Sequence, residues 1–343
     1  MPSAAATRTY VLDAKSRARA EGDCGLVSYA NQEVTMHAHR RHCFTGQGLA
    51  LPHLLLALTV CCAGAAERPP ITGVASIAVK VTSLDEARKF YSGVVGLDEA
   101  FTTKGGLACF KVNDRQYVEV SPDLKSETED RLIRIGFETA DARKLRSYLA
   151  SKSVAVPSKI GKDPNGNLSF EVKDPDGHSV QFIQYMPGSL HSRNFGKHLP
   201  DTRISDHIMH VGVWVTDPAR ADSFYKDILG FRLQWKGGRT DTHFDWISML
   251  VPEGHDWVEY MVSATRPTPQ QLGTMHHYCL GTMDVQKTLK TVVDRGYQPP
   301  RQPAVGRDGR WLLQLFDKNY TRTEMMIRKP VEAPCCSPMK DDI

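Results

Sequence analysis

Four side chains in the second half of the chain, His210, Glu259, His277 and Glu324, are of types that could do chemistry together. They are separated by 49, 18 and 47 residues, so two successive stretches of similar length each supply one imidazole and one carboxylate. Two imidazoles and two carboxylates that converge would hold one divalent transition metal of the Fe, Mn, Co, Ni or Zn group, with further positions open for substrate or water. A single His in a strand is usually packed and a single Glu usually solvated. What sets these four apart is that they fall at matching places in a repeated framework.

That framework is a tandem duplication. SIAVKVTSLDEARKFYSGVVGL from Ser76 and HVGVWVTDPARADSFYKDILGF from His210 align without a gap at an offset of 134, with seven identities in 22 positions. Each copy opens with alternating apolar residues, Ile77, Val79 and Val81 or Val211, Val213 and Val215, which predict a strand. Ser83 or Asp217 then caps a helix whose apolar face is Leu84, Ala87, Tyr91 and Val94, or Ala221, Phe224, Tyr225 and Ile228, and Gly96 or Gly230 ends it. Three short strands follow in the second copy near FRLQW, WISML and WVEYMV. The βαβββ unit recurs inside each copy, from Arg134 and from His277, giving four units in two pairs. Glu259 falls in the last strand of the third unit, Glu324 in the last strand of the fourth, and each His starts a first strand.

The strand-initial His, the helix ending in Phe-Tyr followed by VVGL or DILG, the Asp174-Pro175-Asp176-Gly177 turn before a closing strand, and the His/Glu/His/Glu set together resemble the vicinal oxygen chelate superfamily. The resemblance spans about residues 71 to 328. It implies an α+β chain of two tandem glyoxalase-like domains, each a pair of βαβββ units forming a curved open sheet around a cavity. Their expected extents are 71–185 and 207–328, with a linker over 186–206 and a tail over 329–343 that both read as solvated. The resemblance further implies that a small substrate chelates the metal through adjacent oxygens and that Glu259 or Glu324 moves a proton. In the first domain the equivalent positions are Ser76, Glu119, Arg134 and Gln181, a set unsuited to ligation, so the metal is expected in the second domain alone.

Three kinds of function fit. Glyoxalase-like isomerase or lyase chemistry uses all four ligands, with a Glu as base. An extradiol-type ring-cleaving dioxygenase would use His210, His277 and Glu324 as a facial triad for Fe(II) and leave Glu259 aside. Such enzymes carry a further His upstream of the second ligand, which MVSATRPTPQQLGTM lacks. The third is a protein that binds and sequesters a small molecule. Trp214 and Ser263 depart from the pattern of bacterial glyoxalases, which argues against a glutathione carrier. His243, Trp246 and Arg310 are candidates to touch substrate, and His276, next to His277, should point away from the site.

Residues 1 to 66 do not read as domain. LALPHLLLALTVCCA, residues 49 to 63, is preceded by His39-Arg40-Arg41-His42 and followed by Ala63-Gly64-Ala65-Ala66. This is the pattern of a secretory signal peptide over about 36–66, with an over-extended start or extra leader before Met36. A secreted or periplasmic mature chain is expected, without a membrane segment. Composition excludes a disordered or polytopic membrane chain, with 41% hydrophobic and 24% charged residues. A net charge of +4 without a long basic run excludes a nucleic-acid binder, and the eight cysteines include no CxxC. The partner expected is a small molecule; superfamily members complete their sites within one chain or between two, so a homodimer stays open.

Overall fold

A computed structural model describes residues 67–340; the signal-like run lies outside the described residues. The first pair of units comprises β1 (Ile71–Lys80), α1 (Leu84–Arg88) continuing into a π-helical turn (Lys89–Val94), β2 (Glu99–Thr102), β3 (Ala108–Lys111) and β4 (Tyr117–Ser121), then β5 (Leu132–Thr139), α2 (Ala142–Ser151), β6 (Gly161–Lys162), β7 (Leu168–Lys173) and β8 (Ser179–Gln184). After the short α3 (Leu190–Arg193) the second pair repeats the order with β9 (Ile208–Val215), α4 (Pro218–Tyr225), β10 (Arg232–Gly237), β11 (Trp246–Leu250) and β12 (Trp257–Val262). α5 (Pro269–Met275) leads into β13 (His277–Thr282), α6 (Val285–Asp294), β14 (Ala304–Val305), β15 (Trp311–Phe316) and β16 (Arg322–Ile327). None of the described helices is long and apolar enough to cross a membrane.

Each pair makes one eight-stranded mixed sheet, in the orders β2-β3-β4-β1-β5-β8-β7-β6 and β10-β11-β12-β9-β13-β16-β15-β14. Within a unit the first and last strands run parallel, and the two first strands join the units antiparallel. The two α+β domains are therefore copies of one design. The helices start where the sequence predicts, because the Ser83 and Asp217 side chains accept backbone N–H groups of the first turn. Asp141 and Asp284 do the same for α2 and α6.

The two domains share one apolar core and dock by a pseudo-twofold exchange. Tyr225 Oη donates to Asp174 Oδ2 at 3.0 Å, and Tyr91 Oη donates to the equivalent Asp317 Oδ2 at 3.1 Å. The next turn residues repeat the exchange, with Thr216 N–H donating to Asp176 and Thr82 N–H donating to Asn319 at 3.2 Å each. The turn that precedes the closing strand of each domain is thus what grips the other domain.

The linker and the tail keep much of their surface exposed, as their polar, Pro- and Gly-containing composition suggests, yet both are tied down by hydrogen bonds. Each crosses the open side of the domain it follows. The buried Lys111 ammonium donates to the carbonyls of Asn194 and Lys197 in the linker, and Leu190 N–H donates to Asn165 O at 2.8 Å. In the tail, Cys335 N–H donates to Arg307 O at 2.9 Å, Trp235 Nε1–H donates to Cys335 O at 3.0 Å, and Lys340 N–H donates to Gln234 O at 2.8 Å. Because Gln234 and Trp235 belong to β10 and Arg307 follows β14, the tail ties together the two ends of the sheet, which must curl to bring them so close. Cys335 and Cys336 are bonded to each other and cross-link no separate elements.

Candidate metal centre

The four strands that carry His210, Glu259, His277 and Glu324 are contiguous in the second sheet, in the order β12-β9-β13-β16. Register decides what they do. Gly212 lies opposite both Glu259 and His277, while Cys279 lies opposite both His210 and Glu324. Paired residues share a face of a sheet, so both rows project into the concave side.

The donor atoms meet there in a near-symmetric cluster. The two imidazole Nε2 atoms stand 3.1 Å apart. His210 Nε2 is 3.4 Å from Glu324 Oε2 and 3.9 Å from Glu259 Oε2; His277 Nε2 is 3.4 Å from Glu259 Oε2 and 3.8 Å from Glu324 Oε2. Bonds of about 2.0–2.2 Å to one ion place neighbouring ligand atoms about 3–3.5 Å apart at octahedral to tetrahedral angles, so this set fits a divalent ion with modest adjustment.

Protonation points the same way. Burial, with the charges of Arg322 and His210 beside it, holds the His277 pKa well below its usual value, so the ring is neutral. Its Nδ1–H donates to Met275 O at 2.9 Å, which leaves the Nε2 lone pair facing the cluster. His210 Nδ1 is buried without a partner, so this ring has nothing to hold its orientation through that atom. Instead its plane lies against Trp257, with centroids 4.7 Å apart. Burial would raise the Glu324 pKa, but the Arg322 charge and the His210 contact outweigh it, and the carboxylate is held below its ordinary value. Cys279 goes the other way: burial and the two carboxylates push the thiol up, so it remains protonated.

Glu259 and Glu324 of the cluster line a cavity of about 240 Å³ whose walls also include Trp235, Trp246, Arg307, Gln314 and Arg322, while the two imidazoles are fully buried. Trp246 is thus on the cavity wall. His243 is not: its side chain is 70% exposed, 3.8 Å from Asp245, and faces a separate groove. Arg310 also fails the expectation, because Asp308 two residues earlier pairs with it at 3.0 Å and its Nε–H donates to Arg328 O. Its guanidinium lies 5.2 Å from the Trp257 ring, so it supports the indole that flanks His210 from outside the cavity. His276 points away, with Nδ1 2.9 Å from Asp130 of the first domain.

Cys279 and Arg322 are the site residues that the His and Glu spacings do not find. Both are two residues from a cluster member, and strand alternation alone places them on its face. In the first domain, register puts Glu119 and Arg134 opposite Ala78, and Gly136 opposite Ser76 and Gln181, the same lattice as in the second. There the Arg134 guanidinium donates to Glu119 and, at 3.3 Å, to Gln181. A side-chain cation occupies the place where the second domain can accept a metal.

The chain matches the model of the Glyoxalase/Bleomycin resistance protein/Dioxygenase superfamily over residues 73–182 and 207–319. No curated protein matches it. Among solved structures it is similar to the 2,3-dioxygenase LapB from Pseudomonas sp. KL28, at a TM-score of 0.59 and 15% identity, covering 78% of this chain and 97% of that one. Homoprotocatechuate 2,3-dioxygenase from Arthrobacter globiformis gives 0.59 and 14%, covering 80% and 85%. The Mn(II)-bound glyoxalase from Novosphingobium aromaticivorans gives 0.58 and 16%, covering 76% and 83%. At these identities the likeness is one of fold.

Proposed function

The chain belongs to the glyoxalase/bleomycin resistance protein/dioxygenase superfamily, and on that premise we propose a divalent-metal-dependent enzyme with glyoxalase-like isomerase or lyase chemistry on a small substrate. His210, Glu259, His277 and Glu324 would hold the ion. The observation that carries this reading is the near-symmetry of the cluster, in which Glu259 stands to His277 as Glu324 stands to His210, at 3.4 Å each. A facial-triad reading would treat Glu259 as a bystander.

When bound, the ion supplies Lewis-acid polarisation of the substrate's adjacent oxygens. The chain supplies the rest. Glu324 is the more deeply buried carboxylate and is held ionised by Arg322, which suits a fixed ligand. Glu259 is 13% exposed against 6%, faces the cavity and, among the described residues, forms no ion pair with a lysine or arginine, which suits the carboxylate that takes up and returns a proton. Trp235 and Trp246 exclude water from the wall, and Trp257 holds the His210 ring.

The test is metal content. The purified protein should hold one transition metal per chain, and His210→Ala and His277→Ala should each lose it; a metal-free wild type, or variants that retain the ion, defeats the proposal. The fold shared with two 2,3-dioxygenases makes oxygen the second arm of the same experiment. Turnover with Ni or Zn in the absence of oxygen supports proton transfer. Oxygen uptake with catechols that depends on Fe(II) would replace that reading with ring cleavage.

A further inference from the structure

Arg322 is only 6% exposed and lies on the wall of the cavity beside the cluster. Its Nη2 donates to His277 Nε2 at 2.7 Å, and its Nε has no partner. The other two arginines buried to this degree have anionic or carbonyl partners: Arg310 pairs with Asp308, and Arg131 donates to the carbonyls of Asn319, Glu127 and Glu129. Among the described residues no carboxylate forms an ion pair with Arg322. A buried cation with no anionic partner in contact and an unpartnered Nε–H is costly to keep unless something arrives to complete it.

The two N–H groups in question share one edge of the guanidinium. Nε–H and Nη2–H form the fork that grips a carboxylate through two parallel hydrogen bonds. In this site one tine is spent on the same imidazole lone pair that a metal would take, and the other is spent on nothing. An ion held by the four donors would claim that lone pair and release the whole fork. Charge agrees with this. Arg307 is paired with Asp241 and Arg310 with Asp308, so a divalent ion, two glutamates and Arg322 leave one net positive charge in the cavity.

We propose that Arg322 recognises a carboxylate on the substrate, so that the cavity takes small compounds in which a carboxylate accompanies or forms part of the vicinal oxygen pair, such as 2-hydroxy and 2-oxo acids. This rests on the metal-centre reading above. Arg322 is a binding residue in this account, and its removal leaves the four donors in place.

The experiment is calorimetry on the full chain, first with Mn(II) and then, on the loaded protein, with lactate and with lactamide, which keeps the adjacent oxygens and the size but not the charge. Wild type should bind lactate about 10- to 100-fold more tightly than lactamide, the range for a charge-assisted bidentate contact. Arg322→Met should narrow that preference by about 10-fold or more, to what the ion alone shows for a carboxylate over an amide, while binding Mn(II) at least as tightly as wild type, because a cation beside the ion is gone. Arg322→Lys keeps the charge without the fork and should lose most of the preference, which also covers the case in which the Met variant is unstable. A wild type that binds Mn(II) but shows no preference, including one that binds neither probe, overturns the proposal, as does a preference that survives undiminished in Arg322→Met. A wild type that takes up no Mn(II) overturns the metal-centre reading and this one with it.

Discussion

Replacing Gly212 by Ala tests whether the centre depends on one absent methyl group. A Cβ built at Gly212 would lie 2.0 Å from Cε1, 2.1 Å from Nδ1 and 2.9 Å from Nε2 of His277. Non-bonded carbons settle at about 3.5 Å, so the ring would have to retreat by about 1.5 Å. Metal–ligand distances tolerate only about 0.2 Å, so a displacement of that size removes His277 from the coordination set. The ring also cannot retreat freely, because its Nδ1–H is anchored to Met275 O. Losing an orienting partner alone typically costs about 10- to 100-fold in metal affinity, so losing the ligand should cost at least about 100-fold. Overpacking adds about 1–3 kcal/mol of destabilisation. The assay is a calorimetric titration of metal-free protein with Mn(II), with circular dichroism and a thermal melt to establish that the variant is folded. Gly281→Ala is the control: its Cβ would meet two flexible side chains, Met209 at 3.1 Å from Sδ and Arg328 at 3.7 Å from Nε, and metal binding should survive. A folded Gly212→Ala protein that binds one Mn(II) with wild-type affinity would refute the reasoning. The first domain has Ala78 at the equivalent position, where the residue across the ladder is the flexible Arg134 and no imidazole must lie over the strand.

Two further predictions concern the first domain. His191 is buried among Phe101, Tyr117 and Tyr185, accepts from Asn167 through Nδ1 and is pushed down to about 4 by burial and the Lys111 charge, so it stays neutral at pH 7. The unfolded chain takes up this proton near 6.5; stability is therefore unaffected above that pH and falls by about 3 kcal/mol as pH drops from 6.5 to 4. Urea melts should show His191→Phe to be flatter than wild type across that window by the same amount, and superimposable pH profiles would contradict it. Arg134→Leu should destabilise the chain by about 3–5 kcal/mol, because it strands the buried Glu119 carboxylate. Denaturant midpoints measure this, and Arg134→Leu paired with Glu119→Leu should recover much of the loss.

Much of the centre is legible in the sequence because the βαβββ unit is local. A strand alternates every two residues, the parallel return strand lies a few tens of residues on, and the duplication repeats both. Equivalence between Ser76 and His210, or Arg134 and His277, therefore follows from aligning two short segments. The same alternation reaches Cys279 and Arg322 once a face has been assigned. His243 and Arg310 were less accessible, since their roles depend on loop neighbours: His243 lies on an exposed turn beside Asp245, and Arg310 is satisfied by Asp308.

The linker and tail show where local reading ends. Their polar, Pro-containing composition describes a segment that forms no strand or long helix, yet says nothing about backbone groups elsewhere that lack partners. Gln234, Trp235, Arg307 and Gly309 expose such groups only because the sheet curls and brings its two ends together, and the tail then satisfies them. By itself the sequence determined the repeat, the strand faces and the His/Glu set, all of which depend on periods of two to a few tens of residues. Only the tertiary structure decided that each imidazole lies 3.1–3.9 Å from the other and from both carboxylates, that the His277 ring fills the space over Gly212, and that the Arg322 guanidinium is buried with one tine idle. Those depend on cross-strand register and on the curl of the sheet, which join residues that no local pattern relates.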